Sequence, residues 1–598
     1  LNTNRITVRG IGNRSLFSTT KLRSYIDDIP LTNGVGETTV EDFDREILHS
    51  VDLYKGPGAT AYGSGLGGLM LLRTCNQPDD NYLKTQITTG HFGFLKKNQV
   101  ASISNDTYRL KLLHGYQHAD GYRANNSYDN RNYSVLAGVN NGNHQLSLLL
   151  HHININAQIP SSLNREDFDN EPEKAAFTWG RVSGYEDYTK TVAGATYSTS
   201  AIDKIYLKAT IFANIYQGFE SRPFNILDDY SANFGLRTSL AYDFENSKKS
   251  KVQFGFEISK EEYNYDLYRT EDGIQGEQFQ QNEELRSSTQ FFAQYNMNFL
   301  DDLELEVGLN ANLTSYTLDD QFASDMTDIS GEYNYSWIYS PRLNLKYTLN
   351  ESDHLYGLIS HGYSIPTLEE TLTPDGLINN DIKPEIGLNT EIGFRGMTNN
   401  EKWSYGLTAY QMLVKNLLVA RRTAADQFIG VNAGGSRHMG AELDLAYKMF
   451  NSGDWRSDFN LAYTYQKFIF TDFVDGEEDY SSNELTGAIP NQVALGWTGG
   501  YKRLSLIIKY KYIDSMPMRD DNSIYSDAYS LLDIYTTKTI AIGVFDIGMS
   551  AGVNNVLDTD YASMILVNAG SFGGNAPRYF YPGLPINAFG RMSIRYNF

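Results

Sequence analysis

The stretch AYGSGLGGLMLLRT, residues 61 to 74, sets Gly63, Gly65 and Gly68 at the G-x-G-x-x-G spacing. In a strand-to-helix turn that spacing lets the backbone approach a dinucleotide pyrophosphate, with the third glycine opening a helix and an acidic residue about 20 positions further on. Neither condition is met. A short apolar run, a Pro-Asp turn and a strand-like alternation follow instead, with no helical period. Hydrolytic chemistry finds no support either. No Ser-His-Asp or Cys-His set stands in a recognisable context, and the adjacent Asp27 and Asp28 would point to opposite faces of a strand. Asp27-Asp28-Ile29-Pro30 reads better as a turn whose side chains cap backbone amides. The sequence is not that of an enzyme.

Composition removes further classes. A net charge of -22 over 598 residues opposes nucleic acid as a bulk partner, because phosphate contacts need clustered Lys and Arg. A single cysteine, Cys75, forms no intrachain disulfide, and ten scattered histidines suggest no built-in metal site or cofactor. The chain opens at Leu1 without an initiator Met or a signal peptide, as a processed or trimmed form would. No run of about 18 apolar residues occurs, so no helix is expected to cross a membrane. A transmembrane β-barrel remains open, because it alternates lipid-facing apolar with lumen-facing polar residues and keeps a modest mean hydropathy.

The elements behind these residues have a period of two from about residue 80 onward. In DKIYLKATIFANIY, Ile205, Leu207, Ala209, Ile211, Ala213 and Ile215 share one face, opposite Lys204, Lys208, Thr210 and Asn214 with Tyr206 and Phe212. In DLELEVGLNANLTSY, Leu303, Leu305, Val307, Leu309, Ala311 and Leu313 alternate with Glu304, Glu306, Gly308, Asn310, Asn312 and Thr314. So acidic an inner face fits a wet lumen. Short turns at 140–143, 245–250, 397–402 and 451–455 take turns with long polar segments at 157–187, 268–286, 362–385 and 559–586. Tight turns on one rim and long loops on the other describe an outer-membrane barrel, and the segments add up to about 22 strands, a size that goes with a plugged lumen. The final GRMSIRYNF alternates to an aromatic terminus, Phe598, as a closing strand would. The expected fold is all-β: an antiparallel transmembrane β-barrel with an N-terminal plug in its lumen.

The front of the chain gives this expectation a family. VRGIGNRS, YIDDIPLTNGVGE and VDLYKGPGATAYGSGLGGLMLLRT resemble the later half of the plug domain of TonB-dependent outer-membrane receptors, as SHGYSIPTLEETL, the Lys-Pro-Glu at Lys383, Pro384 and Glu385, NAGGSRHMGAELDLAY and GVNNVLDTDYA resemble that family's barrel. The resemblance implies a partial plug over 1–76 and a barrel over 80–598, in the outer membrane of a Gram-negative bacterium. Gly56, Gly58, Gly63, Gly65, Gly67 and Gly68 then read as plug glycines, placed where the backbone turns tightly or passes close to the wall. The early plug strands and the TonB box of the family are not in this sequence; their omission from it is the expectation, and their absence from the protein is the alternative.

By the same resemblance, the function would be active uptake of a scarce ligand, most plausibly a ferric siderophore, driven by a TonB-type energy-coupling partner through that outlying segment. The other readings are import of an oligosaccharide, peptide, cobalamin or haem, or a receptor-like scaffold within a larger outer-membrane complex or beside a surface lipoprotein. Lipid and glycolipid would surround the barrel. Ligand contacts are expected at the plug tips, Arg14 and Phe17 in one and Asn33, Val35 and Glu37 in the other. On the wall they are expected at His361, Tyr363, Arg421 and Arg422. An Arg beside an aromatic could grip a ferric chelate's carboxylates and rings, or Arg14 could pair with a wall acid. His361 and His438 raise haem ligation, although lone histidines at strand ends are commonly ordinary polar residues.

Overall fold

Alternation builds the wall. Along Leu303–Asp320, Val307 and Leu309 are 45% and 44% exposed while Gly308, Asn310 and Asn312 are buried, so one face meets lipid and the other meets the interior. Ile211 and Ile215 are exposed in the same way on Ile205–Ser221, whose Lys208 and Asn214 reach inward. The computed structural model describes residues 5–15, 19–74, 80–322, 328–366, 379, 382–424, 427–432, 434–475, 477–571 and 574–598, without side chains at 420–424, 427–430 and 475.

Each wall strand pairs antiparallel with its sequence neighbour, and Asn587–Asn597 pairs with Tyr82–Gly90 to close the ring. Gly331–Asn334 and Ile338–Thr348 both pair with Leu303–Asp320 and form one interrupted stave, which gives a closed barrel of 22 strands. Closure leaves no unpaired edge, the condition for a sheet to sit in hydrocarbon. No helix among the described residues is long and apolar enough to cross a membrane, so the strands do the crossing. Beside the short turns the outward aromatics pair up, Trp403 with Tyr447 at 4.2 Å and Trp455 with Tyr501 at 4.4 Å between ring centroids. Such amphipathic rings mark a membrane–water interface.

Two sequence expectations change. Residues 268–286 are no loop: Lys251–Glu271 and Ile274–Leu300 form one long hairpin whose turn is made by Asp272 and Gly273, at φ 52° and 87°. Its 27-residue second strand far exceeds the roughly 9–11 residues a membrane requires, so it stands out into water. Its Gln- and Glu-rich sequence suggests a loop, but a backbone ladder holds polar residues equally well. Nor is the lumen simply wet. Ile26, Ile29, Leu31, Phe43, Ile47 and Leu72 of the plug share a core with inward-facing Val100, Leu113, Leu136, Leu149, Val192 and Phe212 of the wall.

The plug is organised by a four-stranded sheet in the order Ile29–Pro30, Leu22–Ile26, Gly68–Thr74, Leu48–Lys55. Its central pair is parallel and the other two pairings are antiparallel. Asp27, at φ 53°, turns the chain between the first two strands and accepts hydrogen bonds from the Thr74 amide at 2.9 Å and the Thr74 hydroxyl at 2.6 Å. The capping turn read from the sequence is therefore tied to the last plug strand.

Candidate functional site

The glycine motif lies in the plug, facing the wall. Gly63, at φ 83°, ends the short turn Thr60–Tyr62, and a Cβ there would run into Gln290 of the wall and Arg23 of the plug. Gly68, at φ 115°, starts a strand so close to Tyr54 that a Cβ would collide with the Tyr54 carbonyl. These two need glycine for both reasons, conformation and space. At Gly58 a Cβ would meet nothing nearer than 3.8 Å, so no steric demand explains that position.

Ion pairs of opposite polarity hold the plug on opposite sides. Its acids face bases of the earlier strands: Asp28 meets Lys208 at 2.8 Å, Asp42 meets Lys190 at 2.9 Å, Asp44 meets Lys96 at 2.7 Å and Glu46 meets Lys84 at 2.9 Å. Its bases face acids of the later strands: Arg9 meets Glu391 at 2.6 Å and Glu442 at 3.1 Å, Lys21 meets Glu385 at 3.0 Å and Lys55 meets Glu442 at 3.0 Å. Burial alone would raise the Asp42 and Asp44 carboxyls, but Lys190 and Lys96 beside them carry both below the usual carboxylate range. The arrangement fixes how the plug is rotated in the barrel, because turning it would set like charges together. Glu385 is the acid of the Lys-Pro-Glu motif, and it also accepts the Leu418 amide at 2.6 Å.

The site residues read from the sequence are placed mainly in this clamp. Arg14 forks onto Asp520 of an outer loop, with Phe470 and Phe473 at 5.6 and 5.7 Å from its guanidinium carbon. Of its two readings, the structure takes the ion pair, although the acid belongs to a loop and lies far away in sequence. Burial alone would raise Asp520, but Arg14, Thr486 and Asn568 together lower it. Asn33 caps its own loop, accepting from the Val35 amide at 3.2 Å and the Glu37 amide at 2.9 Å. Val35 is 7% exposed, and between them Gly34 donates to Glu261 and accepts from Tyr316. The wall thus grasps that tip by its backbone.

Tyr363 is a weld between wall and plug. Its backbone pairs with Gly65, its amide donates to Ser64 at 2.9 Å, its carbonyl accepts from Leu66 at 3.1 Å, and its hydroxyl accepts from Arg23 at 3.1 Å. His361 is half-buried and bonds Ser340 at 3.2 Å. His438 is fully buried, with one ring nitrogen on the Arg9 carbonyl and the other on Ser436, each at 2.8 Å. Haem ligation has no free nitrogen there. Phe17 lies outside the described residues, as do the side chains of Arg421 and Arg422, whose backbone runs in Leu418–Ala424.

Sequence reasoning missed the acids and bases that seat the plug, including Asp42, Glu442 and Asp520. The available signal was the set of lone charges at inward positions of alternating strands, such as Lys84 and Lys208. Toward the long loops, Glu186, Asp229, Tyr188, Tyr216 and Tyr263 share the inward face of neighbouring wall strands, with Tyr188 and Asp229 buried. Tyr188 donates to Asp42 of the plug at 2.9 Å and Tyr263 to Asp229 of the neighbouring strand at 3.1 Å.

Comparison with known proteins agrees with this architecture. The family described as TonB dependent receptor-like, beta-barrel matches residues 72–556, and the TonB-dependent Receptor Plug Domain matches residues 2–69. Among solved structures, the ferric citrate transporter FecA in its unliganded form aligns with a TM-score of 0.81 at 14% identity, over 99% of this chain and 92% of that one. The siderophore receptor PiuA from Acinetobacter baumannii aligns at 0.78 and 14% identity, over 99% and 91% of the two chains. The copper transporter OprC aligns at 0.78 and 15% identity, over 99% and 92%. Identities this low establish a shared fold and leave the cargo open. On the family match, which spans most of its length, the chain belongs to the TonB-dependent receptors, a family of receptors and transporters of the Gram-negative outer membrane.

Proposed function

We propose that the chain imports a ferric siderophore across the outer membrane, with a TonB-type protein of the inner membrane supplying the energy. The observation that carries this reading is how the lumen is stopped. A plug seated by separate ion pairs, Asp28 with Lys208 on one side and Arg9 with Glu442 on the other, blocks passive flow yet can be released without breaking the barrel ladder. Work from outside the barrel is what such a stopper needs. The cargo rests on likeness: FecA and PiuA are named for ferric citrate and for a siderophore, whereas OprC, on the same fold, is named for copper.

The contacts expected of Arg14, Asn33, Val35 and Tyr363 pass, on this reading, to the inner wall beneath the long loops, because those residues are engaged in seating the plug. Uptake of radioactive iron by a deletion strain under iron limitation tests the function. The strain is expected to lose uptake of at least one ferric chelate, and inactivating the energy-coupling protein should cause the same loss. Normal uptake of every chelate offered, together with altered levels of other outer-membrane proteins, would replace import with the scaffold reading.

A further inference from the structure

Arg14 is matched by an acid, whereas Arg5, earlier on the same plug segment, is not. Among the described residues the Arg5 guanidinium makes one hydrogen bond, donating to the Ser15 carbonyl at 3.2 Å, and no carboxylate pairs with it. Burial lowers its pKa, and the one group acting against that is Tyr581. Arg123 is also buried without an acid, but the carbonyls of Pro160, Ser161 and Lys174 take up its donors. At Arg5 a single carbonyl serves the whole donor fork.

A cavity supplies a second, independent observation. Arg5 lines a space of about 130 Å³ between the plug and the outer loops, whose walls are largely apolar: Phe168, Ile489, Met516, Ile565 and Phe580. These walls are built before any ligand arrives. Phe168 stacks on Phe580 at 4.7 Å, and both share a buried core with Leu163, Met516, Met518 and Ile565. The Leu163 amide donates to the Phe580 carbonyl at 2.8 Å and the Phe580 amide to the Leu163 carbonyl at 3.1 Å, so two of the loops are joined by their backbones. Acids also border the space, and none of them serves Arg5. Asp514 accepts from Asn491 at 2.7 Å, Asp527 is held by Arg165 at 2.6 Å, and Asp560 is exposed.

We infer that this cavity binds one aromatic acid group, its ring against Phe168, Met516 and Ile565 and its carboxylate or phenolate on Arg5. A guanidinium with unused donors beside apolar walls is costly, and a planar acid relieves it with forked, charge-assisted hydrogen bonds. Aromatic and thioether walls favour a ring as the body of the ligand. The volume sets its size: an apolar cavity of about 150 Å³ holds a benzene-sized molecule, whereas a whole drug-sized ligand needs about 300 Å³ or more. The inference rests on the import reading and names a feature of its cargo, an aromatic acid arm of the chelate or a free acid of the same kind. Once seated, the group touches the plug through Arg5 and the outer surface through Phe168 and Met516.

Fluorine NMR on the purified full chain in detergent tests the site with 3-fluorobenzoate and its neutral counterpart 3-fluorobenzamide. The acid is expected to bind at least about tenfold more tightly, the lower end for a hydrogen bond to a charged group. Arg5→Gln, which can still donate to Ser15, should remove that preference and leave binding of the amide unchanged. Ala562→Phe, placed in the wall to fill the cavity, should abolish binding of both, and any signal it keeps belongs to the micelle. Heat-modifiable migration checks that each variant is folded. Arg5→Lys, which keeps the charge and loses the fork, carries the test if Arg5→Gln does not fold, and should weaken the acid alone. No binding of the acid, equal binding of acid and amide, or a preference kept by the folded Arg5 variant overturns the inference. Displacement reads the source. A ferric chelate with a free aryl carboxylate that displaces the fluorobenzoate identifies an arm of the cargo, and displacement by free acids alone identifies a separate small ligand. If the preference holds while a deletion strain takes up every ferric chelate normally, the import reading fails and the acid site stands.

Discussion

Arg14 and Asp520 are separated by 506 residues and meet as a fork, in which the two guanidinium nitrogens donate one to each carboxylate oxygen, the second at 2.8 Å. Thr486 and Asn568 donate to the same carboxylate, and the Asp520 amide donates to Asn568 at 3.1 Å. One carboxylate therefore joins the front of the plug to three separate stretches of the outer surface. A plug that moves must first give up this acid or take its loop with it.

Removing either partner of this pair leaves the other charge buried. Arg14→Ala and Asp520→Ala are each expected to cost about 3 kcal/mol, the lower end for breaking a buried pair. Hydrogen exchange at residues 514–527 should rise in both variants, and the double variant should add little to either. Additive effects would mean that the two residues do not act on each other.

Acid should loosen the plug's carboxylate clamp. Asp42, Asp44 and Asp520 are lowered in the folded state, so their contribution is complete above the unfolded value of about 3.9 and is lost as pH falls through the lower folded values. Asp27, raised chiefly by burial, acts with the opposite sign and blunts the effect. Exchange protection of Leu22–Ile26 and Gly68–Thr74, corrected for the intrinsic rate, should fall steeply below about pH 4, where these carboxylates take up protons. Protection that does not fall further below about pH 4 would mean that these carboxylates do not hold the plug.

What the sequence revealed and what it hid follow from range. Alternation is local, so the faces of Val307 and Glu306 and the closing strand at Phe598 could be read directly. Partners are not local. Nothing within the neighbourhood of Arg14 announces Asp520, and nothing near His438 announces the Arg9 carbonyl that occupies its ring nitrogen. The hairpin at 268–286 was hidden for another reason: polar strands that stand in water lack the apolar face by which strands are recognised. Gly58 and Gly68 belong to one motif, yet only the structure separates Gly68, where a Cβ would collide with the Tyr54 carbonyl, from Gly58, where a Cβ would meet nothing nearer than 3.8 Å.

Adjacent residues on one strand should fail in different ways. Val307→Arg puts a cation against lipid and is expected to cost about 2 to 4 kcal/mol, with loss of the heat-resistant folded barrel on a gel. Gly308→Arg points inward, where a Cβ already collides with the Thr60 side chain, and Asn310 next to it donates to the Thr60 carbonyl at 3.1 Å. That variant should keep its barrel and loosen its plug. A lumen wet enough to accept Gly308→Arg silently would contradict this contact.

The polarity of the clamp makes the sharpest test, because it can be inverted. Glu46 and Lys84 meet at 2.9 Å with side chains 14% and 22% exposed, sheltered enough for the pair to matter and open enough for either charge to be solvated during folding. Glu46→Lys sets two ammonium groups together and should unseat that side of the plug. Lys84→Glu does the same with two carboxylates. The double exchange restores attraction with the sign reversed. It should recover most but not all of the seating, since Arg591 faces the same corner and favours an acid on the plug. Sensitivity of cells to an antibiotic too large for ordinary porins reads a leaking barrel directly. Each single exchange should raise that sensitivity and the double exchange should lower it again. If both singles are as resistant as the parent, the ion pairs decorate a plug that its apolar core alone holds in place.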